Sequence, residues 1–256
     1  MAKFSATFLG TGTSQGVPVI CCECEVCTSS NIKDKRLRTS FMFSDGDTNV
    51  VIDTGPDFRQ QMLSNKVKMV DAVLFTHEHK DHVAGMDDIR AFNFKADKDM
   101  EVYATDNVQE ALKREFAYVF SGFKYPGIPK VNLNNITDEH IKIGKMEIIP
   151  INVLHYKLPV KAFRVGGLTY ITDANYISEV EKEKIKGSDI IVINALRKTE
   201  HISHFTLEQA LAFIKEMNPK KAYLTHISHL MGKHDTVSAE LPENVEIAFD
   251  GLKIDF

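Results

Sequence analysis

The sequence contains no tryptophan, and its four cysteines all lie between Cys21 and Cys27. No apolar run approaches the roughly 18 residues that a membrane-spanning helix needs. The first ten residues are too short and too interrupted to form the apolar core of a signal peptide. Tightly clustered cysteines without a secretion signal indicate metal binding more than disulfides. These absences favour a cytoplasmic protein that does not interact with a membrane.

An excess of charge of one sign is also missing. The 256 residues carry a formal net charge of −4, with 43% hydrophobic and 26% charged residues. Nothing in this balance attracts the chain to nucleic acid or to an anionic membrane, although a local basic patch stays open. The length suits one large α/β domain or two small ones. Because no linker divides the chain, we expect a single domain over residues 1–256.

Short strand patterns alternate with helical patterns along the whole chain. Helical spacing predicts a helix from Asp106 to Phe120 and another from Thr206 to Met217. The Gly166-Gly167 pair between two strand-like runs predicts a two-residue hairpin. Strands and helices in mixed order, with hairpins in both halves, indicate an α/β fold in which two mixed sheets pack together with helices outside.

Three histidines and a carboxylate stand in one six-residue segment, His77-Glu78-His79-Lys80-Asp81-His82. The segment follows the apolar run Ala72–Phe75, which predicts a buried strand. Alternation along an extended chain places His77 and His79 on the same side, and a turn near Asp81 could bring Asp81 and His82 to face them. Imidazole and carboxylate groups suit zinc, manganese and iron. The alternative is a solvated polar loop.

Three further candidate ligands each follow a strand-like run: His155, Asp173 and His226. Taken singly, each would be assigned a structural role. Their common position after strands favours a shared site. Val51-Ile52-Asp53-Thr54-Gly55 has the same character, since Asp53 ends a strand.

The cysteines form the pattern Cys22-x-Cys24-x-x-Cys27. Three thiolates at this spacing can share one tetrahedral zinc, which then needs a fourth ligand. His229 is a free candidate for that position. Cys21 could replace Cys22, and four reduced cysteines in a loop are the alternative.

His-x-His-x-Asp-His after a strand and a threonine resembles the signature of the metallo-β-lactamase superfamily. With Gly10-Thr11-Gly12-Thr13-Ser14-Gln15-Gly16-Val17-Pro18, the cysteine triplet and Thr-His-Ile-Ser-His, the chain is similar to the phosphoribosyl 1,2-cyclic phosphate phosphodiesterases of phosphonate breakdown. The resemblance implies an αββα sandwich and a dinuclear metal centre. By that resemblance, the ligands are His77, His79 and His155 for one metal, Asp81, His82 and His226 for the second, Asp173 as the bridge, and Cys22, Cys24, Cys27 and His229 for a structural zinc.

The resemblance further implies a phosphodiesterase that hydrolyses a small cyclic or sugar phosphate diester through a hydroxide bridging two divalent ions, zinc or manganese. Asp81 and His204 are the catalytic residues that we carry over. His204 would bind a phosphate oxygen or protonate the leaving alkoxide, and a helix-capping or exposed histidine is the alternative. The sequence alone assigns His140, His201 and His234 to the surface.

Two other functions use the same fold. A tRNA 3′-processing nuclease shares the metal motif, but its basic arm has no counterpart in this sequence, which argues against a nucleic-acid substrate. An accessory protein of cofactor biosynthesis would share the cysteine pattern without catalysis. The partner we expect is a small phosphodiester, and the resemblance allows a homodimer.

Overall fold

The computed structural model describes residues 4–122 and 125–256. The strands in chain order are β1 (Ser5–Gly10), β2 (Ser40–Ser44), β3 (Asn49–Ile52), β4 (Ala72–Leu74), β5 (Met100–Ala104), β6 (Val131–Asn135), β7 (Ile141–Ile143), β8 (Met146–His155), β9 (Leu158–Val165), β10 (Leu168–Ile171), β11 (Ile190–Asn194), β12 (Lys221–Thr225), β13 (Val245–Ile247) and β14 (Lys253–Asp255). The α-helices are α1 (Phe58–Ser64), α2 (Lys80–Val83), α3 (Arg90–Ala96), α4 (Asp106–Glu115), α5 (Ala117–Phe120), α6 (Glu179–Ile185), α7 (Leu207–Met217) and α8 (His234–Ser238). Short 3₁₀ turns cover Ile32–Asp34, Met86–Ile89 and His229–Met231. None of these helices is long and apolar enough to cross a membrane.

The strands form two seven-stranded sheets in the orders β14-β1-β2-β3-β4-β5-β6 and β13-β12-β11-β10-β9-β8-β7. Strands β3 to β6 run parallel, as do β10 to β13, whereas antiparallel pairs build the other half of each sheet. The central parallel strands β4 and β11 are almost entirely apolar because both of their faces are covered. The fold expected from the sequence, two mixed sheets with helices outside, is confirmed.

Aromatic side chains join the inner faces of the two sheets. The ring of Phe41 from the first sheet stacks on that of Tyr170 from the second, with centroids 4.4 Å apart. Phe8 packs against Phe41 edge-on and reaches Tyr223 across the interface. Large aromatic groups bury much apolar area in a defined geometry. This contact therefore sets how the loops of one sheet meet the loops of the other.

The prediction of a single helix from Asp106 to Phe120 is wrong in one respect. The chain leaves helical geometry at Phe116, with φ −113° and ψ 43°, and divides the segment into α4 and α5. Phe116 and Val119 stay buried despite the break. The apolar spacing thus reports which side chains enter the core and does not report whether the backbone between them is continuous. The half-exposed edge strands β6 and β7 were missed because polar residues interrupt their pattern.

Polar residues directly follow the carboxyl ends of several parallel strands, at one edge of the sandwich. Asp53 follows β3, Asp173 follows β10 and His226 follows β12. All three adopt left-handed backbone conformations, with φ of 62°, 52° and 56°. Non-glycine residues seldom take this conformation, and strained residues of this kind often cluster at functional sites. The sharp turn at each strand end directs these side chains toward one another.

Two glycines allow the segment after β3 to pack directly on α2. A β-carbon added at Gly55 would lie 2.1 Å from the carbonyl oxygen of Asp81, and one at Gly85 would lie 2.1 Å from that of Gly55. The Thr54 amide donates to the His82 carbonyl at 2.8 Å in the same contact. Neither glycine has space for a side chain.

We expect Gly55→Ala to lower the free energy of unfolding by about 1–3 kcal/mol, because overpacking forces the backbones apart. Thermal unfolding measures the effect. Gly122→Ala is the control, since a β-carbon there meets no atom within 4 Å. Equal melting temperatures for the two variants would contradict the packing argument.

Candidate metal centres

Four imidazoles gather at the edge where the strands end. The ring of His77 lies 4.5 Å from that of His79 and 4.2 Å from that of His82, measured between centroids. His155 comes from the other sheet and lies 5.2 Å from His79. The turn at the start of α2 brings His82 back toward His77, as the spacing predicted.

Asp173 lies at the centre of this group. Its Oδ2 is 3.1 Å from Nε2 of His82 and 3.2 Å from Nδ1 of His226, and its Oδ1 is 3.0 Å from Nε2 of His204. The carboxylate of Asp81 approaches the same His82 nitrogen at 3.2 Å. Donor atoms of His77, His82 and Asp173 lie close enough to share one cation, as do those of His155, Asp173 and His204. Asp173 is common to both groups.

The buried carboxylate of Asp53 orients the loop that carries His77 to His82. It accepts hydrogen bonds from the amide and the hydroxyl of Thr76, both at 2.8 Å, and from Nδ1 of His82 at 2.7 Å. Burial raises the pKa of Asp53, while His82 and Thr76 act to lower it. Because Nδ1 of His82 is occupied in this way, its Nε2 points at Asp81 and Asp173. Carboxylates commonly orient metal-ligating imidazoles by such contacts.

The buried donor atoms fit a cation. Nε2 of His77 and of His226 are buried without a hydrogen-bond partner, and Nε2 of His82 faces the carboxylates of Asp81 and Asp173. Burial lowers the pKa of His77 well below its usual value and that of His226 to about 3, so both rings are neutral and their lone pairs are available. A buried polar atom without a partner is expensive, and coordination removes that cost. The residues present therefore fit one or more divalent ions.

The carboxylates and imidazoles of the cluster also shift one another's pKa values. Burial opposes protonation of His82, but the carboxylates of Asp173, Asp53 and Asp81 outweigh it and raise its pKa well above the usual value. For Asp173, burial is outweighed by His226 and His82, and its pKa falls well below the usual value. A divalent cation would replace the His82 proton as the counter-charge of these carboxylates.

His155 and His79 complete the set from two directions. Nδ1 of His155 donates to the carbonyl of Ser203 at 2.8 Å, which leaves its Nε2 free for coordination. His79 is exposed and borders the open side of the cluster. All seven of the dinuclear ligands named from the sequence thus converge on one place.

His204 also lies in the cluster, through its contact with Asp173. His201 does not behave as the surface residue expected from the sequence, since its Nδ1 lies 3.1 Å from Nδ1 of His204. His234 is buried and lies 3.3 Å from the guanidinium of the equally buried Arg36, so its surface assignment is wrong as well. His140 is exposed and pairs with Glu147. These contacts join segments with no shared sequence pattern, which is why sequence reasoning missed them.

A second candidate centre lies in the loop after β1. Sγ of Cys22 and of Cys24 lie 3.3 Å from Nδ1 of His229, and Sγ of Cys27 lies 3.6 Å from it. Cys21 is exposed and outside this group, so the geometry favours Cys22 over Cys21. The Cys27 amide, with a smaller contribution from His229, lowers the pKa of Cys24 to about 6. Three thiols and one imidazole at these separations fit a tetrahedral zinc.

The chain matches the family model described as "Beta-lactamase superfamily domain" over residues 48–227. The crystal structure of a diphosphatase from the PhnP family superimposes with a TM-score of 0.93 at 36% identity, covering 99% of this chain and 97% of the other. Zinc-bound PqqB from Methylobacterium extorquens shares the fold, with a TM-score of 0.78 at 19% identity over 98% of this chain and all of that one. A curated relative named octanoyltransferase, from Porphyromonas gingivalis, is 37% identical over 96% of this chain, which spans only 50% of that relative.

The fold and the clustered candidate ligands are those of the metallo-β-lactamase superfamily, and the chain belongs to that superfamily. Within the superfamily it belongs to the PhnP-like group, which the resemblance read from the sequence had indicated.

We expect Asp53→Asn to weaken divalent-metal binding about 10–100-fold, because the His82 ring loses the charged acceptor that orients it. Competition with a chromophoric chelator gives the dissociation constants. Asp45→Asn is the matched control: Asp45 is also buried and accepts three backbone amides, but these belong to the turn after β2 and to Lys145. Identical affinities in both variants would remove Asp53 from the centre.

We expect Cys24→Ser to lower the zinc content of the purified protein by one ion per chain and to lower its melting temperature. A serine hydroxyl is a poor replacement for the thiolate that zinc prefers. Cys21→Ser is the control and should retain the full metal content. Elemental analysis after dialysis measures both, and loss of zinc from Cys21→Ser alone would reverse the assignment.

Proposed function

We propose that this protein hydrolyses a phosphorus–oxygen bond of a small phosphoric diester, using two divalent cations at the centre around Asp173. The observation that carries the proposal is the convergence of buried imidazoles on the Asp173 carboxylate, with Nε2 of His77 and of His226 left without a hydrogen-bond partner. In our assignment the ligands are His77, His79 and His155 for one ion, Asp81, His82 and His226 for the other, and Asp173 for both.

Two cations of this kind, zinc or manganese, would lower the pKa of water so that a nucleophile is available near neutral pH. The protein residues supply the rest. Asp53 and Thr76 hold the ligand loop in place, and the hydrogen bond to Ser203 fixes the His155 ring. Burial away from water strengthens the electrostatic interactions of these groups with a bound anion. This arrangement favours the charge that develops on a phosphoryl group during displacement.

His204 is the residue that we assign to the leaving group. Its Nε2 lies 3.0 Å from Asp173, so the ring borders the centre on the side of the second sheet. Nδ1 lies within reach of His201 and of the Ser203 hydroxyl, at 3.1 and 3.2 Å. With Nδ1 engaged in this way, Nε2 is the atom that would donate a hydrogen bond to a phosphate oxygen or a proton to the departing alkoxide, in place of its contact with Asp173. Such general-acid assistance commonly contributes about 10²–10⁴-fold to the rate.

The cysteine loop supports one wall of the same site. His229 comes three residues after His226, and the amide of Thr13 donates to the carbonyl of Ile227 between them. The hydroxyl of Thr39 lies 3.1 Å from Nδ1 of His226. A zinc bound by the three cysteines and His229 would tie the loop after β1 to this wall. We propose that it stabilises the position of His226 without taking part in the reaction.

The names of the relatives point to different reactions. The diphosphatase is matched over 97% of its length, whereas only half of the octanoyltransferase is matched. The full-length relative therefore bears more directly on this chain, and it favours chemistry at phosphorus. RNA processing is disfavoured by the net charge of −4, and salt-dependent RNA binding would support it again. A non-catalytic accessory role would be favoured if the metal-loaded protein hydrolysed no diester.

We expect the protein loaded with manganese or zinc to hydrolyse bis(p-nitrophenyl) phosphate, and His204→Ala to lower kcat by about 10²-fold or more. Its metal content should stay unchanged. His140→Ala is the control, because that ring is exposed and pairs only with Glu147 at the protein surface. Absence of hydrolysis by the wild type would sink the proposed function. Full activity of His204→Ala would remove only that residue from the reaction.

A further inference from the structure

The loop after β1 lies between a segment of the first sheet and a segment of the second. The Gly12 amide donates to the Leu37 carbonyl at 2.8 Å, just before β2. On the other side, the Ile227 amide donates to the Thr11 carbonyl at 2.8 Å, and the Thr13 amide donates to the Ile227 carbonyl at 3.1 Å. Backbone hydrogen bonds therefore fix this loop against the residue that directly follows His226.

The close approach at Gly12 leaves little room for a side chain. A β-carbon added there would lie 3.0 Å from the β-carbon and the carbonyl oxygen of Arg36, and 3.0 Å from the carbonyl oxygen of Leu37. The Gly12 carbonyl accepts two hydrogen bonds from Thr39, one from the amide at 2.9 Å and one from the hydroxyl at 2.7 Å. Because a carbonyl oxygen only accepts, the hydroxyl hydrogen of Thr39 is used in this contact.

The same hydroxyl oxygen lies 3.1 Å from Nδ1 of His226. Since its hydrogen already goes to Gly12, the Thr39 oxygen can only accept, and Nδ1 must donate. Oδ2 of Asp173, at 3.2 Å from Nδ1, is also an acceptor. The Thr172 hydroxyl is more distant at 3.5 Å, and it donates to Asp173. Every polar neighbour of Nδ1 among the described residues is thus an acceptor.

This arrangement settles which nitrogen of His226 carries the hydrogen. A neutral imidazole has one N–H and one lone pair, so a hydrogen on Nδ1 leaves the lone pair on Nε2. Nε2 is the buried nitrogen that has no hydrogen-bond partner. Imidazoles that bind a metal commonly donate their other N–H to a neighbouring group, which fixes the ring and the tautomer.

Thr39 is better suited to this task than Asp173. Oδ2 of Asp173 also faces Nε2 of His82 at 3.1 Å, and the carboxylate is our assigned ligand of both cations. Thr39 is buried and is not a candidate ligand. Its hydroxyl cannot turn away from His226 without losing the hydrogen bond to Gly12.

We propose that Thr39 is a positioning residue of the metal centre: its hydroxyl, held by the Gly12 carbonyl, accepts the Nδ1 hydrogen of His226 and leaves Nε2 available to a divalent cation. The inference rests on the assignment of His226 as a ligand in the proposed function. It gives the glycine-rich loop after β1 a task, which is to hold the acceptor that orients this ligand.

The test measures zinc binding by the full chain through competition with a chromophoric chelator. Thr39→Val removes the hydroxyl and keeps the β-branched shape, and we expect it to weaken binding at the centre around Asp173 by about 10–100-fold. Thr39→Ser keeps the acceptor and should keep the wild-type affinity. Thr169→Val is the matched control, because Thr169 is also buried and its hydroxyl pairs with that of Ser188 at 2.7 Å.

A second measurement locates the hydrogen directly. Proton–nitrogen correlation NMR of the histidine rings in the zinc-loaded wild type distinguishes a protonated nitrogen from one bound to metal, and His226→Asn identifies the signals of His226. We expect the hydrogen on Nδ1. If Thr39→Val fails to fold, the position of this hydrogen decides the proposal.

A hydrogen on Nε2 of His226 would overturn the proposal, as would unchanged zinc affinity in Thr39→Val. An equal loss of affinity in Thr39→Ser or in Thr169→Val would also overturn it, because the loss would then not depend on the acceptor at position 39. Neither measurement needs turnover. Absence of diester hydrolysis would therefore sink the proposed reaction and leave this inference standing, whereas absence of zinc at the centre would overturn both.

Discussion

The buried carboxylate of Asp53 is the contact on which the candidate metal centre depends. It has no access to water, and its hydrogen bonds go to Thr76 and His82. A buried charge is tolerated only when paired or coordinated. Asp53 is paired with His82, and His82 in turn faces Asp81 and Asp173. Polar groups in this part of the core therefore stabilise one another as a unit, and each of them sets the orientation of the next.

The unit spans both sheets. Asp53 and the histidine loop belong to the first sheet, whereas His155, Asp173 and His226 follow strands of the second. Their distances depend on how the sheets pack, which the stack of Phe41 on Tyr170 sets. The packing of the core therefore determines the distances between the candidate ligands. The cysteine loop, anchored at His229, adds a second connection between the amino-terminal and carboxyl-terminal halves.

Four of the eight left-handed non-glycine residues in the described part of the chain lie at or beside this centre. Asp53, Tyr156, Asp173 and His226 all adopt left-handed conformations without being glycine. Residues at functional sites commonly adopt conformations that their local sequence preference disfavours. At Asp53, Asp173 and His226, the left-handed conformation directs the side chain toward a shared point. The stability that glycine would provide is given up at positions where a side chain is needed.

The sequence by itself determined the superfamily, the two-sheet architecture and most candidate ligands, because these are written in local patterns. His77 to His82 lie within one loop, and His155, Asp173 and His226 each follow a recognisable strand. The tertiary structure alone decided which atoms meet. It placed Cys22 and not Cys21 beside His229, brought His201 to His204, buried His234 against Arg36, and broke the helix at Phe116. Periodicity encodes which side of an element is buried. It carries no information about which distant segment supplies the neighbour, since that depends on the packing of the whole chain.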